Sequence, residues 1–172
     1  MSDETVGLEW NHKVTDLRER RRFMRTAKAE ECVAISAIFG DAECKELRAD
    51  YEIRPLAPGR YRMVGNVRAR VGLICGVTLE PLDQVIDENF DVEFRRDARR
   101  PSDLDAEFDA LADDDPEPIV HGLIEAGRFI CEVVASVIDP FPRAEDAALE
   151  QNEAGEAIAA RNPFAVLGQL KK

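Results

Sequence analysis

Cys75 is the residue best suited to covalent or metal chemistry, in the stretch Gly-Leu-Ile-Cys-Gly-Val-Thr-Leu-Glu-Pro that runs from Gly72 to Pro81. A reactive thiolate there needs a neighbouring cation or a helix N-terminus to lower its pKa, and zinc needs about four ligands, of which this stretch offers one soft one. The other thiols, Cys32, Cys44 and Cys131, form no CxxC, CxH or HxxxH arrangement. They read as small buried hydrophobes kept reduced. His12 and His121 have no nucleophile or carboxylate at a fixed spacing and read as structural or exposed. Glu80, Asp83, Asp87 and Glu88 cluster after Cys75 and read as a solvated face rather than as a paired acid and base. The sequence contains no GxSxG, phosphate-cradling GxxxxGK[ST], GxGxxG or HExxH. It therefore assigns no catalytic residue, metal ligand or cofactor, and the expectation is a protein that is not an enzyme.

Arginine is the second chemistry on offer. Arg18, Arg20, Arg21, Arg22 and Arg25, with Lys28, concentrate positive charge in a chain of net charge −12. Arg54, Arg60, Arg62, Arg68 and Arg70 alternate closely enough to line one face of a sheet. Such a surface can meet phosphates despite the overall charge, because screening confines repulsion from distant acids to roughly 8–10 Å. The same arginines can instead pair with the chain's carboxylates, and the sequence leaves both readings open. Residues 1–100 carry 18 basic and 19 acidic groups, and residues 101–172 carry 5 and 16. The excess negative charge thus lies almost wholly in the second part. Aromatic residues make up 6%, and no RNP-type aromatic stack is legible, so sequence-specific reading of single strands is poorly supported.

The elements that must position these groups follow from periodicity. Val6 to Leu17 reads as a poorly formed first strand. Thr26 is a plausible cap for a helix over Ala27 to Phe39, whose Ala29, Cys32, Ile35, Ile38 and Phe39 share one face and which Gly40 stops. From Leu47 to Phe94 the apolar period is two, giving three or four antiparallel strands with a Pro58-Gly59 turn and with Pro81 at a strand end or edge. Strands so close in sequence pair as a meander. The acidic stretch 97–118 reads as a solvated loop. Gly122 permits a turn and Glu125 can accept at the N-terminus of a helix whose face is Ile130, Cys131, Val134, Val137 and Ile138, stopped by Pro140 and Pro142. The expectation is an α+β fold, an antiparallel meander of about four to six strands packed with two main helices. It places a single domain at 1–143 and a flexible acidic tail at 144–172. Phe164, Val166, Leu167 and Leu170 suit that tail to dock as a short amphipathic helix.

Composition excludes collagen, a coiled coil and a disulfide-stapled miniprotein. No apolar run approaches the roughly 20 residues that cross a bilayer, and the opening lacks a secretory pattern. A cytoplasmic protein with no membrane and no small-molecule substrate is expected.

Three stretches resemble the YceD family, the large ribosomal RNA subunit accumulation proteins. The first is Cys75-Gly-Val-Thr78-Leu79-Glu80-Pro81, running into Val85 and Phe90 to Phe94. The second is Ile119 to Gly127, leading to Asp139-Pro140-Phe-Pro142-Arg143. The third is Asn162-Pro163-Phe164-Ala-Val-Leu167, followed by Gln169-Leu-Lys. In order, the resemblance covers roughly residues 6–170. It implies a non-enzymatic factor supporting ribosomal RNA accumulation and ribosome biogenesis. The partner would be large-subunit ribosomal RNA or an assembling ribosomal particle; the charge run, not the resemblance, offers Arg18, Arg20, Arg21, Arg22 and Arg25 as the contact. The alternative is an acidic adaptor that uses its carboxylate-rich second half to shield a basic ribosomal protein without touching RNA. Many members of the family carry a CxxC where this chain has Cys75 and Thr78. A hydroxyl is a poor zinc ligand, so the resemblance brings no metal with it. Glu125 also stands where relatives tend to have Asp, a better cap.

Overall fold

The computed structural model describes residues 8–98, 116–144 and 146–147. Its frame is three long strands, β3 (Glu43–Ala57), β4 (Arg60–Ile74) and β5 (Pro81–Arg95), preceded by β1 (Asn11–Lys13) and β2 (Arg21–Thr26). Two short strands, β6 (Glu117–Pro118) and β7 (Leu123–Glu125), and two helices, α1 (Ala29–Phe39) and α2 (Ala126–Val137), complete it. The sheet runs β2-β3-β4-β5-β6, antiparallel except for the parallel β5–β6 step, while β1 and β7 form a separate antiparallel pair. This is the expected α+β meander with two helices.

Alternation along the strands separates core from solvent. Leu47, Ala49, Tyr51 and Ile53 of β3, Met63, Val67, Ala69 and Val71 of β4, and Ile86, Phe90 and Phe94 of β5 are buried. Ile130, Cys131 and Val134 of α2 and Cys32 and Ile35 of α1 belong to the same core. The β3–β4 hairpin closes at Pro58-Gly59, where Gly59 takes φ 75°. Pro81 opens β5, the position in a strand that tolerates a missing N–H.

Several sequence expectations are corrected. The first strand is only Asn11–Lys13, followed by a 3-10 turn at Val14–Asp16. Most of the basic run is a strand of its own, β2, which the pattern hid because an edge strand with exposed ends needs few apolar residues. Thr26 ends β2, and α1 starts at Ala29 with Lys28 as its N-cap. There Glu31 reaches back to accept from the Lys28 N–H at 2.7 Å. Ile38 is 46% exposed, so it lies off the buried face. Glu125 makes no side-chain cap bond to α2, because its carboxylate accepts from Arg128 Nε at 3.2 Å. The stretch 97–118 ends as β6 rather than as loop, and residues 99–115 lie outside the described residues, as do Asn162, Pro163, Phe164 and Leu167.

Two glycines set close approaches. Gly65 of β4 sits opposite Tyr51, and a Cβ there would stand 2.5 Å from Tyr51 Cβ and 2.6 Å from the Asp50 carbonyl oxygen. At Gly127 a Cβ would collide with the Leu8 backbone, against which the first turn of α2 is pressed. Neither obstacle is the end of a flexible side chain, so the backbone itself must move. Gly65→Ala and Gly127→Ala are each expected to cost about 3 kcal/mol, read as a lowered urea midpoint. An unchanged midpoint would contradict these packings.

Candidate nucleic-acid interface

The solvent face of the sheet is a lattice of charges set by register. Arg22 bonds Asp50 through Nε at 2.9 Å and Nη2 at 3.0 Å, and Arg20 bonds Glu52. Arg60 bonds Glu93 at 2.7 and 3.0 Å, Arg62 bonds Asp91, and Arg68 Nε donates to Asp87 at 2.9 Å. Lys45 pairs with Asp83, and Asn66 donates to Asp87 at 2.7 Å. Arg62 stands directly opposite Glu93 yet bonds Asp91, and Arg60 stands opposite Arg95 yet bonds Glu93. These two side chains thus lean to the diagonal neighbour, which cross-strand geometry leaves within reach, whereas Arg68 bonds the residue directly opposite it. Asp50, Asp83, Asp87, Asp91 and Glu93 are all held below the usual carboxylate range, chiefly by these side-chain hydrogen bonds.

The five arginines of the basic run therefore divide. Arg20 and Arg22 point at carboxylates of β3. Arg18, Arg21 and Arg25 are exposed and take part in no ion pair among the described residues. Arg21 Nη1 donates to the Asp16 carbonyl at 3.4 Å. Arg54 and Arg48, outward-facing on β3, form no close ion pair among the described residues, although their charges help to lower Asp91 and Asp50, and Arg48 contacts Met24 Sδ. Arg18 and Arg96 line a shallow hollow beside the Pro58-Gly59 turn. Arg48 shares its outward parity with Arg54 and was legible on that ground. Arg96 was not, since only the hairpin brings it near Arg18.

His12 registers the uncompensated charge. Its ring is buried, 4.0 Å centroid to centroid from Phe23, with Nε2 2.8 Å from Tyr51 Oη. Its pKa falls to about 4 through burial first, then through the charges of Arg25 and Arg21. A histidine that resists protonation in the folded state stabilises the fold fully above about 6.5, and that contribution is lost as pH falls towards 4. Unfolding by urea is expected to become easier by on the order of 2 kcal/mol from pH 6.5 to 4.5, discounted for screening near the sheet edge. His12→Gln should flatten this segment, and an equal slope in the variant would remove His12 as its source.

The first two family stretches meet in space. The Gly76 N–H donates to the Pro142 carbonyl at 2.9 Å, and Cys75 Sγ accepts from the N–H groups of Val77, Thr78 and Ala144, each at 3.4 Å. Gln84 Nε2 donates to the Val137 carbonyl, its Oε1 accepts from the Asp139 N–H, and Asp139 Oδ1 accepts from the Phe141 N–H. Pro140 and Arg143 are exposed. Leu79 is 74% exposed and holds φ 61°, a conformation that costs a branched side chain about 1 kcal/mol, because its N–H must reach the Cys75 carbonyl.

Cys75 is buried, as are Cys32, Cys44 and Cys131, yet its acidity is shifted in the opposite direction from that of Cys44 and Cys131. Burial pushes Cys44 up to about 12 and Cys131 to about 11. Cys75 is lowered to about 6, first by the Thr78 hydroxyl and then by the N–H groups of Thr78, Ala144 and Val77. The source that sequence reasoning lacked is therefore a nest of hydrogen-bond donors, one of them 69 residues away. Among the described residues no three His, Cys, Asp or Glu side chains converge as metal ligands. Thr78 has a single hydroxyl proton, which Glu80 Oε2 at 3.2 Å also attracts. The ultraviolet absorbance of the thiolate is expected to rise with a midpoint near 6 and to move towards 9 in Thr78→Val. A midpoint near 9 in the unaltered protein would show that burial outweighs the donors.

No curated protein and no solved structure matches the chain. One family model, described as Large ribosomal RNA subunit accumulation protein YceD, matches residues 63–171. It starts within β4, so the match is shorter than the resemblance seen from residue 6, and β2 lies outside it. It contains the Cys75 turn, the α2 exit that the turn binds, and the ending from Asn162. By that match over more than half of its length, the chain belongs to the YceD family.

Proposed function

We propose that the protein is a non-enzymatic factor that supports the accumulation of large-subunit ribosomal RNA by binding that RNA in an assembling particle. The family description supplies the process. One observation carries the contact: Arg18, Arg21 and Arg25 are exposed and take part in no ion pair among the described residues, next to Arg20 and Arg22, which are already neutralised. Arg21 and Arg25 sit four residues apart on the same side of an edge strand, about 13 Å along it. Guanidinium groups held at fixed spacing and not occupied by protein carboxylates suit phosphate oxygens. The acidic second part of the chain repels only over a Debye length, roughly 8 Å at physiological salt.

The adaptor reading needs carboxylates free to meet a basic protein. On β5 the outward Asp83, Asp87, Asp91 and Glu93 are each held by a cation of the sheet. Those four carboxylates are not open to a basic protein, and the adaptor reading rests instead on the carboxylates of residues 101–172, most of which lie outside the described residues. The position of β2 outside the matched residues means that the arginine contact rests on charge and exposure, with no help from the family match.

Retention of a large-subunit RNA fragment across a salt series tests the reading. The unaltered protein should lose affinity steeply with salt. Replacing Arg18, Arg21 and Arg25 by Gln should weaken binding at least tenfold and reduce the log–log slope by roughly 0.7–0.9 for each phosphate no longer met. Replacing Arg20 and Arg22 by Gln should change it less than about threefold, since their charge is already cancelled. Equal effects in the two variants would refute the division between arginines with and without a carboxylate partner. Absence of salt-dependent retention, together with a basic ribosomal protein recovered after nuclease treatment, would replace RNA by the adaptor reading.

A further inference from the structure

Where the ends of α1, β4 and α2 come together, the surface is hollowed into a groove of about 690 Å³. Its apolar residues include Phe39, Leu73, Ile74, Val77, Ile138 and Phe141, and its charged ones are Asp41, Asp139 and Arg143. Ile74 is 53% exposed and Phe141 80%. Large apolar side chains gathered around one concavity mark a surface that gains by being covered.

We propose that this groove is the seat of the chain's own ending, residues 162–170, with Phe164, Leu167 and Leu170 against its apolar wall. Four observations single out this occupant. The first is position: Pro142 and Arg143 line the groove, and the next residue, Ala144, is bonded to Cys75 Sγ, so the chain leaves the described fold at the groove's own edge. Residues 148–161 are 14 in number and span at most about 50 Å when extended, ample for a return. A tether of that length places its end at millimolar local concentration, so weak contacts suffice.

The second is charge. Residues 161–172 carry Arg161, Lys171 and Lys172 and no acidic side chain, while Asp41 and Asp139 outnumber Arg143 in the groove. The third is pattern: Asn162 and Pro163 are the residue types of a helix N-cap and first position, and apolar residues every third place after them form one stripe. The fourth is that the family match runs through residue 171, so groove and ending fall largely within one matched unit.

Hydrogen exchange of the full-length protein, without RNA, provides the test. In the unaltered chain, backbone amides of 73–79 and 138–143 should be protected to the same degree across a hundredfold dilution. The double variant Phe164→Asp, Leu167→Asp should exchange there at least roughly threefold faster, with β3 unchanged. A synthetic peptide of residues 160–172 added to that variant should restore the protection. Exchange unaltered in the variant overturns the docking. Protection that disappears on dilution overturns the intramolecular seat and assigns the groove to the ending of a second copy.

Discussion

Everything on the outer face of this protein depends on the register of three fifteen-residue strands. A strand has a side-chain period of two, so a slip of one residue between β3 and β4 would drive Arg60, Arg62 and Arg68 into the core and bring Met63, Val67 and Val71 into water. The close opposition of Gly65 and Tyr51 helps to fix that register, because the Tyr51 side chain lies over a position of β4 that has none. The ion pairs are a consequence of the register more than a cause of it. They are exposed, and exposed pairs contribute roughly 0–1 kcal/mol each, whereas the buried face supplies the main driving force.

The same constraint explains what the sequence disclosed. Alternation through Tyr51, Ile53, Met63, Val67, Ala69 and Val71 was visible because one face is buried and the other wet, and the Pro58-Gly59 dipeptide marked the turn between them. β2 escaped notice because only Phe23 is half-buried in Arg-Arg-Phe-Met-Arg-Thr, so its pairing with β3 has almost no apolar signature. β6 was unreadable for another reason. A two-residue parallel strand is specified by β5, its partner, and not by its own residues. The start of α1 was misplaced because Thr26 is a better cap by type than Lys28, but its backbone is already committed to β2.

The site was legible in kind and not in detail. The sequence gathers the arginines, and parity assigns Arg60, Arg62, Arg68 and Arg70 to one face. Which arginine is neutralised depends on diagonal neighbours across strands, as with Arg22 reaching Asp50 past Glu52, and no linear pattern contains that. Cys75 teaches the same lesson for a thiol. Its apolar flanks match those of a buried, inert cysteine, and the donors that make it acidic come partly from its own turn and partly from Ala144.

These two features bear on each other through the architecture. Among the described residues, the arginines without carboxylate partners lie mostly at or beside β2, the edge of the sheet away from β5, while the Cys75 turn and the α2 exit are joined beyond the end of β4. A contact at β2 leaves the 75–81 and 139–143 junction unobstructed. Conversely, whatever covers the apolar groove beside that junction does not compete for Arg21 or Arg25. The two surfaces can therefore be occupied together. Sheet register sets Arg21 and Arg25 at one border, and screening weakens charge over roughly 8 Å, so a cationic edge is compatible with a net acidic chain.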